Sequence, residues 1–253
     1  MFNFFWKKEK ILFEKNTKYN KIKVVDDGQK IKLILDDSYN IHSLLTKGKL
    51  LSYSYWDICA FIPLIFGDEG DSFAVLGSGG GTITRIIKTV NKNYRVFNVD
   101  IDIEVLRVGI EFFNMPNENL IVSDFRDFIN YSKKPFSHVI IDVFINAAIP
   151  FDIFQESFWQ SISLKTEKTA LINLVSNFHA LAIREFLQKH FKIIGIVKSK
   201  ESSNYIVFGS KKNISEKDLE KRQEILTGNL TAEERKYAKA LLEYIINEIL
   251  SKK

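Results

Sequence analysis

A glycine-rich turn between an apolar run and a helix-forming segment is the feature that most constrains this chain. Residues 73–76 are apolar, four glycines follow within positions 77–81, and a segment with helical character begins at Thr82. Glycine permits a sharp turn and lets a ligand lie against the backbone. The free N–H groups of the following helix would face that ligand. We expect ligand contacts from Gly77, Ser78, Gly79 and Gly81.

The spelling of the turn, and the acid that follows it, indicate a nucleoside as the ligand. The turn reads Gly-x-Gly-x-Gly, with Thr82 in place of the third glycine of the dinucleotide fingerprint, and the Gly-Lys-Ser/Thr of a P-loop does not follow. A second apolar run, 94–99, ends at Asp100. A carboxylate about 20 residues after a glycine turn can accept hydrogen bonds from both hydroxyls of a ribose.

The alternation of apolar runs with helical segments predicts an α/β fold. The predicted strands are 73–77, 95–100, 119–122, 137–142 and 169–175, and the predicted helices are 82–90, 103–114, 152–163 and 177–190. These strands lack period-two alternation, as expected for a parallel sheet covered on both faces. The runs 193–198 and 204–208 are joined by a turn too short for a helical crossover, so we expect them to pair antiparallel.

Shorter elements are expected on both sides of this sheet. Runs at 21–25 and 30–35 alternate lysine with apolar residues and predict a β-hairpin. Residues 36–49 are interpreted as a loop with some extended structure, and 54–66 as an apolar helix.

The chain after residue 214 predicts two helices. The second begins with a capping box at Thr231 and Glu234, and an apolar face follows at helical spacing, typical of a docked helix. We therefore divide the chain into an N-terminal hairpin and helix region at 1–66, a Rossmann-like nucleoside-binding catalytic domain at 67–211 and a C-terminal helical extension at 212–253.

Acids follow several of the predicted parallel strands, where ligands of open α/β sheets bind. Asp124 could accept a hydrogen bond from an exocyclic amine such as that of adenine, while Phe125 and Ile101 would contact the ring. Asp142 would face the reacting end of the ligand. Any such Asp can also serve as a helix N-cap.

Composition narrows the remaining classes. The net charge of +5 is spread over scattered lysines, so we expect solvated surface and no nucleic-acid partner. The single Cys59 excludes an intramolecular disulfide and suits the cytoplasm. We expect no membrane span, because no apolar run is long enough, and no metal, because the four histidines lack ligand spacing. A hydrolase is disfavoured, because no Gly-x-Ser-x-Gly elbow occurs.

The order of motifs over about residues 18–210 resembles the spermidine synthase family, the polyamine aminopropyltransferases. Segments 35–40 (LDDSYN), 55–64 (YWDICAFIPL), 99–102 (VDID), 123–124 (SD) and 205–211 (YIVFGSK) are each similar to a family motif. The turn GSGGGT and the segment 149–154 (IPFDIF) resemble a divergent, spermidine synthase-like branch.

This resemblance implies a fold, a ligand and further site residues. The fold would be a Rossmann-like, seven-stranded methyltransferase-type sheet, parallel with a terminal antiparallel strand. The ligand would be S-adenosylmethionine, its decarboxylated form or methylthioadenosine, with a small amine as the second substrate. Asn40 would reach the ligand and Tyr55 would line the amine pocket. The resemblance also implies a homodimer.

The chain departs from the family at positions that matter for chemistry. Gly80 and Ile145 stand where members that make spermidine carry aspartates, and Trp56 replaces a polar residue. Because a diamine is a dication that carboxylates must hold, we expect putrescine to be a poor acceptor.

Three hypotheses therefore stay open. The first is an aminopropyltransferase with an altered acceptor site, in which Asp142, Tyr55 and Asp57 bind the amine and accept its proton. The second is a methyltransferase that uses intact S-adenosylmethionine. The third is a non-catalytic nucleoside-binding homologue.

Overall fold

A computed structural model of the protein describes residues 9–37, 40–145 and 148–250. Within them, an antiparallel sheet is followed by a larger mixed sheet and by C-terminal helices. None of the helices in these ranges is both long and apolar enough to cross a membrane.

The first sheet contains more strands than the sequence pattern predicted. Its strands are β1 (Lys10–Asn16), β2 (Lys21–Asp26), β3 (Lys30–Ile34) and β4 (Ser43–Thr46), paired antiparallel in chain order. The expected hairpin is β2–β3. The outer strands were not predicted, because β1 is mostly exposed and carries charges on both faces, and β4 has four residues. Hydrogen bonds to β2 and β3 stabilise β1 and β4, whose own sequences show no clear strand pattern.

The central part of the chain forms the predicted α/β alternation. The first half contains α1 (Tyr55–Ile65), β5 (Ser72–Leu76), α2 (Thr82–Val90), β6 (Arg95–Asp100), α3 (Ile103–Phe113), β7 (Leu120–Val122) and α4 (Phe125–Tyr131). The second half contains β8 (Phe136–Ile141), α5 (Glu156–Leu164), β9 (Thr166–Leu174), α6 (Asn177–Gln188), β10 (Ile193–Lys198) and β11 (Tyr205–Ser210).

The second sheet has the strand order β10-β11-β9-β8-β5-β6-β7. Strands β5 to β9 pair in parallel, and β11 runs antiparallel to both of its neighbours. The antiparallel pairing of the last two strands is thus confirmed. The seven-stranded α/β sheet expected from the resemblance is confirmed as well; β11 is last in sequence but lies between β9 and β10.

Two helical details differ from the expectation. Helix α4 was not predicted, because seven residues between the cap Asp124 and Ser132 are too few to show clear periodicity. The helix expected at 152–163 is interrupted at Gln155, so that a 3-10 turn (Phe151–Phe154) precedes α5.

Helices cover both faces of the sheet. Apolar residues of α4, α5 and α6 form a core on one face, while α1, α2 and the C-terminal helices form the core on the other. Helix α1 is buried along its whole length. A third core joins the first sheet to α3 through residues such as Leu33, Val105 and Phe113.

The C-terminal extension forms the two expected helices, α7 (Glu216–Thr227) and α8 (Ala232–Leu250). Ala238, Leu242 and Ile245 of α8 are fully buried, which confirms the docked apolar face. The predicted capping box is also present, since Thr231 and Glu234 exchange hydrogen bonds. The Glu234 carboxylate in addition accepts the backbone N–H groups of Leu50 (2.6 Å) and Leu51 (3.0 Å), and so ties α8 to the segment before α1.

This tie gives a stability prediction. Glu234→Ala should lower the free energy of unfolding by about 2–3 kcal/mol, because it leaves buried N–H groups without an acceptor. Glu233→Ala is the matched control, because Glu233 is 70% exposed and pairs with Lys49 at the surface; its loss should stay below about 1 kcal/mol. Urea unfolding of the two variants measures the difference, and equal losses would contradict the assignment.

Candidate nucleoside-binding site

A cavity with about 800 Å³ of empty space, including its opening to solvent, lies at the carboxyl ends of the parallel strands β5, β6, β7 and β8. The first sheet and α1 supply further walls, so the cavity is closed by elements from different parts of the chain. The described lining residues are Asn20, Leu35, His42, Tyr55, Gly77, Gly79, Val99, Asp100, Ile101, Ser123, Asp124, Phe125, Asp142, Val143, Phe144 and Ile145.

The N–H groups of the glycine turn are all engaged within the protein. Those of Gly77 and Ser78 donate to the carbonyl of Val99, and that of Gly81 donates to the carbonyl of Ser78. The N–H of Gly79 donates to Asp100 Oδ2 at 3.1 Å, and that of Gly80 donates to a serine hydroxyl of β4 at 2.7 Å. The N–H groups of residues 77–81 thus all have acceptors within the protein, and ligand contacts from this turn stay a prediction.

The glycines are required for close packing of the backbone. Gly77 has φ +76°, and a Cβ atom there would lie 2.3 Å from the carbonyl oxygen of Asp142. Gly80 is also confined, since its Cβ would lie 2.9 Å from Cβ of Ser43 and 3.0 Å from the ring of Phe113. Ser43 of β4 thus occupies the space into which a side chain at position 80 would extend, so glycine is dictated there by contact with the first sheet.

Asp100 lies at the end of β6, beside the glycine turn. Its carboxylate accepts the N–H groups of Gly79 and Asp102, both at 3.1 Å, which leaves further lone pairs free. Burial raises the pKa of Asp100 to about 6, although these hydrogen bonds lower it. The side chain lines the cavity, as the sequence predicted for a ribose-binding acid.

Asp102 anchors the first sheet to this edge. It is the N-cap of α3, where it accepts the N–H of Glu104. Its second oxygen accepts hydrogen bonds from Thr17 (2.5 Å) and Asn20 (2.9 Å), which lie between β1 and β2. This contact holds the turn that brings Asn20 into the cavity wall.

Asp124, Phe125 and Ile101 lie together in the cavity wall, as predicted. Asp124 is the N-cap of α4, and both of its oxygens accept hydrogen bonds from the guanidinium of Arg126, at 2.9 and 2.7 Å. These bonds keep the pKa of Asp124 below its ordinary value. Because a carboxylate has about four lone-pair positions, Asp124 can still accept one hydrogen bond from a ligand.

Asp142 follows β8 and meets Tyr55, the first residue of α1, inside the cavity. The Tyr55 hydroxyl donates to Asp142 Oδ2 at 3.3 Å, and the Asn173 amide donates to Oδ1 at 2.8 Å. Asn204 in turn donates to Asn173 at 2.8 Å. Burial raises the pKa of Asp142 to about 6 and that of Tyr55 well above its ordinary value. Tyr55 is therefore protonated at neutral pH and acts as a hydrogen-bond donor to Asp142.

Four predicted site residues are not among the described residues of the cavity wall. Ser78 is buried and donates to the carbonyls of Val75 and Val99, and Gly81 is the left-handed N-cap of α2. Asn40 is exposed on the segment between β3 and β4. Asp57 is fully buried under the loop before α1, where it accepts three hydrogen bonds from Ser52 and Tyr53.

Other residues of the site were not predicted. Asn173 ends a parallel strand beside Asp142, so the same strand-end argument could have found it. His42, just before β4, lines the cavity, and Ser43 of β4 accepts the N–H of Gly80; no local pattern in the sequence marks either residue. Burial lowers the pKa of His42, so its ring is neutral at pH 7.

The charged side chains among the described residues of the cavity wall are acidic. Among its described residues are three aspartates, Asp100, Asp124 and Asp142, and neither lysine nor arginine. Across the described ranges, no group of three or more His, Cys, Asp or Glu side chains has the geometry to hold a metal ion. The described wall therefore favours a cationic group over an anionic one.

No protein-family model matches the chain. A probable polyamine aminopropyl transferase of Bifidobacterium longum (strain NCC 2705) is 23% identical over 159 residues, which are 62% of this chain and 35% of that protein. The chain thus spans about a third of that relative's length.

Two solved structures have the same fold. A probable spermidine synthase from Corynebacterium glutamicum ATCC 13032 superposes with a TM-score of 0.69 at 18% identity, covering 89% of this chain and 93% of that one. A spermidine synthase in complex with the transition state analogue AdoDATO gives 0.65 at 14% identity, covering 91% and 88%. These findings confirm the resemblance to the spermidine synthase family that the motifs indicated.

The buried Asp57 gives a second stability prediction. Asp57→Ala should lower the free energy of unfolding by about 3 kcal/mol, because it removes the acceptor of buried donors beside Tyr53, whose φ is +56°. Asp37→Ala is the control, since Asp37 is 77% exposed and makes a surface ion pair; we expect a loss below about 1 kcal/mol. Thermal and urea unfolding check both, and an unchanged stability of Asp57→Ala would refute the supporting role.

Proposed function

We propose that this chain, whose fold is that of the spermidine synthases, is a transferase that moves the aminopropyl group of decarboxylated S-adenosylmethionine to an amine. The observation that carries the proposal is the buried carboxylate of Asp142, held by Tyr55 and Asn173 in a wall without described cationic side chains. Because the chain is a distant relative of its named matches, their activity supports this assignment only together with that geometry.

The nucleoside would lie across the ends of β6 and β7. The free lone pairs of Asp100 would accept hydrogen bonds from the ribose hydroxyls. Phe125 and Ile101 would contact the adenine ring, and Asp124 would accept from its exocyclic amine. The engaged N–H groups of the turn support a ligand that has no phosphate there.

The charge of the wall favours the decarboxylated sulfonium over the intact one. Its aminopropyl chain carries a cation, which the carboxylate of Asp142 attracts. Intact S-adenosylmethionine carries an additional carboxylate, and the described wall offers it neither a cationic side chain nor a free N–H group of the turn. Burying an anion without a partner is costly.

Asp142 would also act in the chemical step. The lone pair of a neutral amine forms a bond to the aminopropyl carbon next to sulfur, the carbon–sulfur bond breaks, and its electron pair neutralises the sulfonium to give a thioether. The amine nitrogen becomes positive and releases a proton, which the Asp142 carboxylate accepts. Tyr55, protonated at neutral pH, would orient Asp142 by donating to Oδ2. This activity would place the chain in polyamine biosynthesis.

Ligand affinities provide the first test. In calorimetry, decarboxylated S-adenosylmethionine should bind at least tenfold more tightly than the intact form, a difference of about 1.4 kcal/mol. Asp142→Asn should reduce the ratio of the two affinities, because it removes the carboxylate charge that distinguishes the decarboxylated form from the intact one. The affinity for neutral methylthioadenosine should change little. Tighter binding of the intact form would instead favour a methyltransferase.

The pH dependence of turnover provides the second test. Burial raises the pKa of both Asp100 and Asp142 to about 6, and both carboxylates are needed in the ionised form. The kcat/KM for the sulfonium substrate reports the ionisation of groups in the free enzyme. Because two carboxylates become protonated, log kcat/KM should fall by up to two units for each pH unit below pH 6.

Asp142→Asn is the variant that assigns the two carboxylate ionisations in this pH profile. It should remove one of them and lower kcat at pH 8 by at least about 100-fold. An unchanged profile with unchanged kcat would exclude Asp142 as the proton acceptor. Measurable turnover in the wild type, lost in the variant, would eliminate the hypothesis of a non-catalytic homologue.

A further inference from the structure

We propose that the acceptor is an amine with one cationic group and an apolar body, an inference that rests on the proposed aminopropyl transfer. Few carboxylates of the described wall remain available after the nucleoside is bound. Asp100 would be occupied by the ribose, and both oxygens of Asp124 already accept from the guanidinium of Arg126. Within the described wall, Asp142 is left to face both the ammonium of the donor's aminopropyl chain and the reacting nitrogen of the acceptor, so that no carboxylate remains for a second cation of the acceptor.

The residues that follow Asp142 make the adjoining wall apolar. Val143, Phe144 and Ile145 all line the cavity, and Tyr55 adds an aromatic ring on the side of α1. The Ile145 side chain is 52% exposed, while its backbone exchanges hydrogen bonds with Ala148 at 2.8 and 2.9 Å. A large, half-exposed apolar side chain thus lies at the cavity, where an apolar acceptor would cover it.

A second carboxylate has no place to enter this part of the wall. Position 80 cannot carry one, because Ser43 and Phe113 fill the space beside Gly80. Asp36 lies 3.9 Å from Nε2 of His42 and is not among the described lining residues. The residues next in sequence to the described wall, 38–39 and 146–147, are Ser-Tyr and Asn-Ala, so none of them is acidic.

A diamine would therefore bring a second ammonium group against apolar side chains. Removing that cation from water without a counter-charge is unfavourable. A methyl group at the same place would gain from burial instead. The cavity wall thus disfavours an acceptor with a second ammonium group and favours an acceptor that carries an apolar group of similar size at that end.

A matched pair of amines tests this selection. With decarboxylated S-adenosylmethionine as the donor, we expect kcat/KM for pentylamine to exceed that for 1,4-diaminobutane by at least tenfold. The two molecules have the same number of heavy atoms and differ by a terminal methyl in place of an ammonium. Transfer with 1,4-diaminobutane equal or preferred would overturn this inference and leave the proposed function intact. No transfer to either amine, with the donor bound, would overturn both.

Two variants at one position locate the determinant. Ile145→Asp should move the ratio of the two kcat/KM values toward 1,4-diaminobutane by about tenfold, because it supplies the missing counter-charge. Ile145→Asn has a similar shape without the charge and should leave the ratio within about threefold of the wild type. Affinity for methylthioadenosine serves as the check that both variants fold. Equal ratios for the two variants would overturn the role of charge at this position.

Discussion

The close contact of β5 with β6 and β8 at Gly77 is the constraint on which the rest of the site depends. The N–H of Gly77 donates to Val99 of β6, and the N–H of Asp142, just after β8, donates to Leu76 of β5. A Cβ at position 77 would lie 2.3 Å from the carbonyl oxygen of Asp142. Parallel pairing brings Asp100 and Asp142 to one edge of the sheet, and glycine directly after β5 lets the backbone pass closely beside Asp142.

The glycine turn has a different role from the one its sequence suggests. Its N–H groups hold the turn, Asp100 and β4 together, and so fix the walls of the cavity rather than bind an anion. The N-terminus of a helix that follows a glycine turn often binds phosphate groups. In this protein the N–H of Gly79 instead donates a hydrogen bond to the carboxylate of Asp100. Under the proposed function, this arrangement favours a nucleoside that places no phosphate at the turn.

The uncompensated charge of the wall couples ligand binding to protonation. The pKa values of Asp100 and Asp142 are raised by burial from 3.8 to about 6, so ionising them opposes folding as the pH rises through this interval. Above pH 6 that cost is fully present. A cationic ligand beside Asp142 would relieve part of it, because it favours the ionised form. The same charge that makes the empty wall unfavourable thus supplies the preference for a cation.

The sequence by itself determined the α/β class, the alternation of strands and helices in the central part of the chain apart from α4, and the acids at the ends of β6, β7 and β8. These follow from local apolar runs and from the rule that parallel strands present their carboxyl ends at one edge. The antiparallel end of the sheet followed as well, because five residues cannot make a helical crossover.

Only the tertiary structure decided which of the predicted residues meet in the cavity. It brought Tyr55 onto Asp142 and His42 into the wall, and it placed Asp57 under the loop before α1. It also showed Arg126 on Asp124 and Ser43 in the space beside Gly80. These contacts join residues that are distant in sequence or whose side chains are oriented by a helix cap. Hydrophobic periodicity in the sequence does not predict such contacts, because it indicates which residues are buried and not which residues they contact.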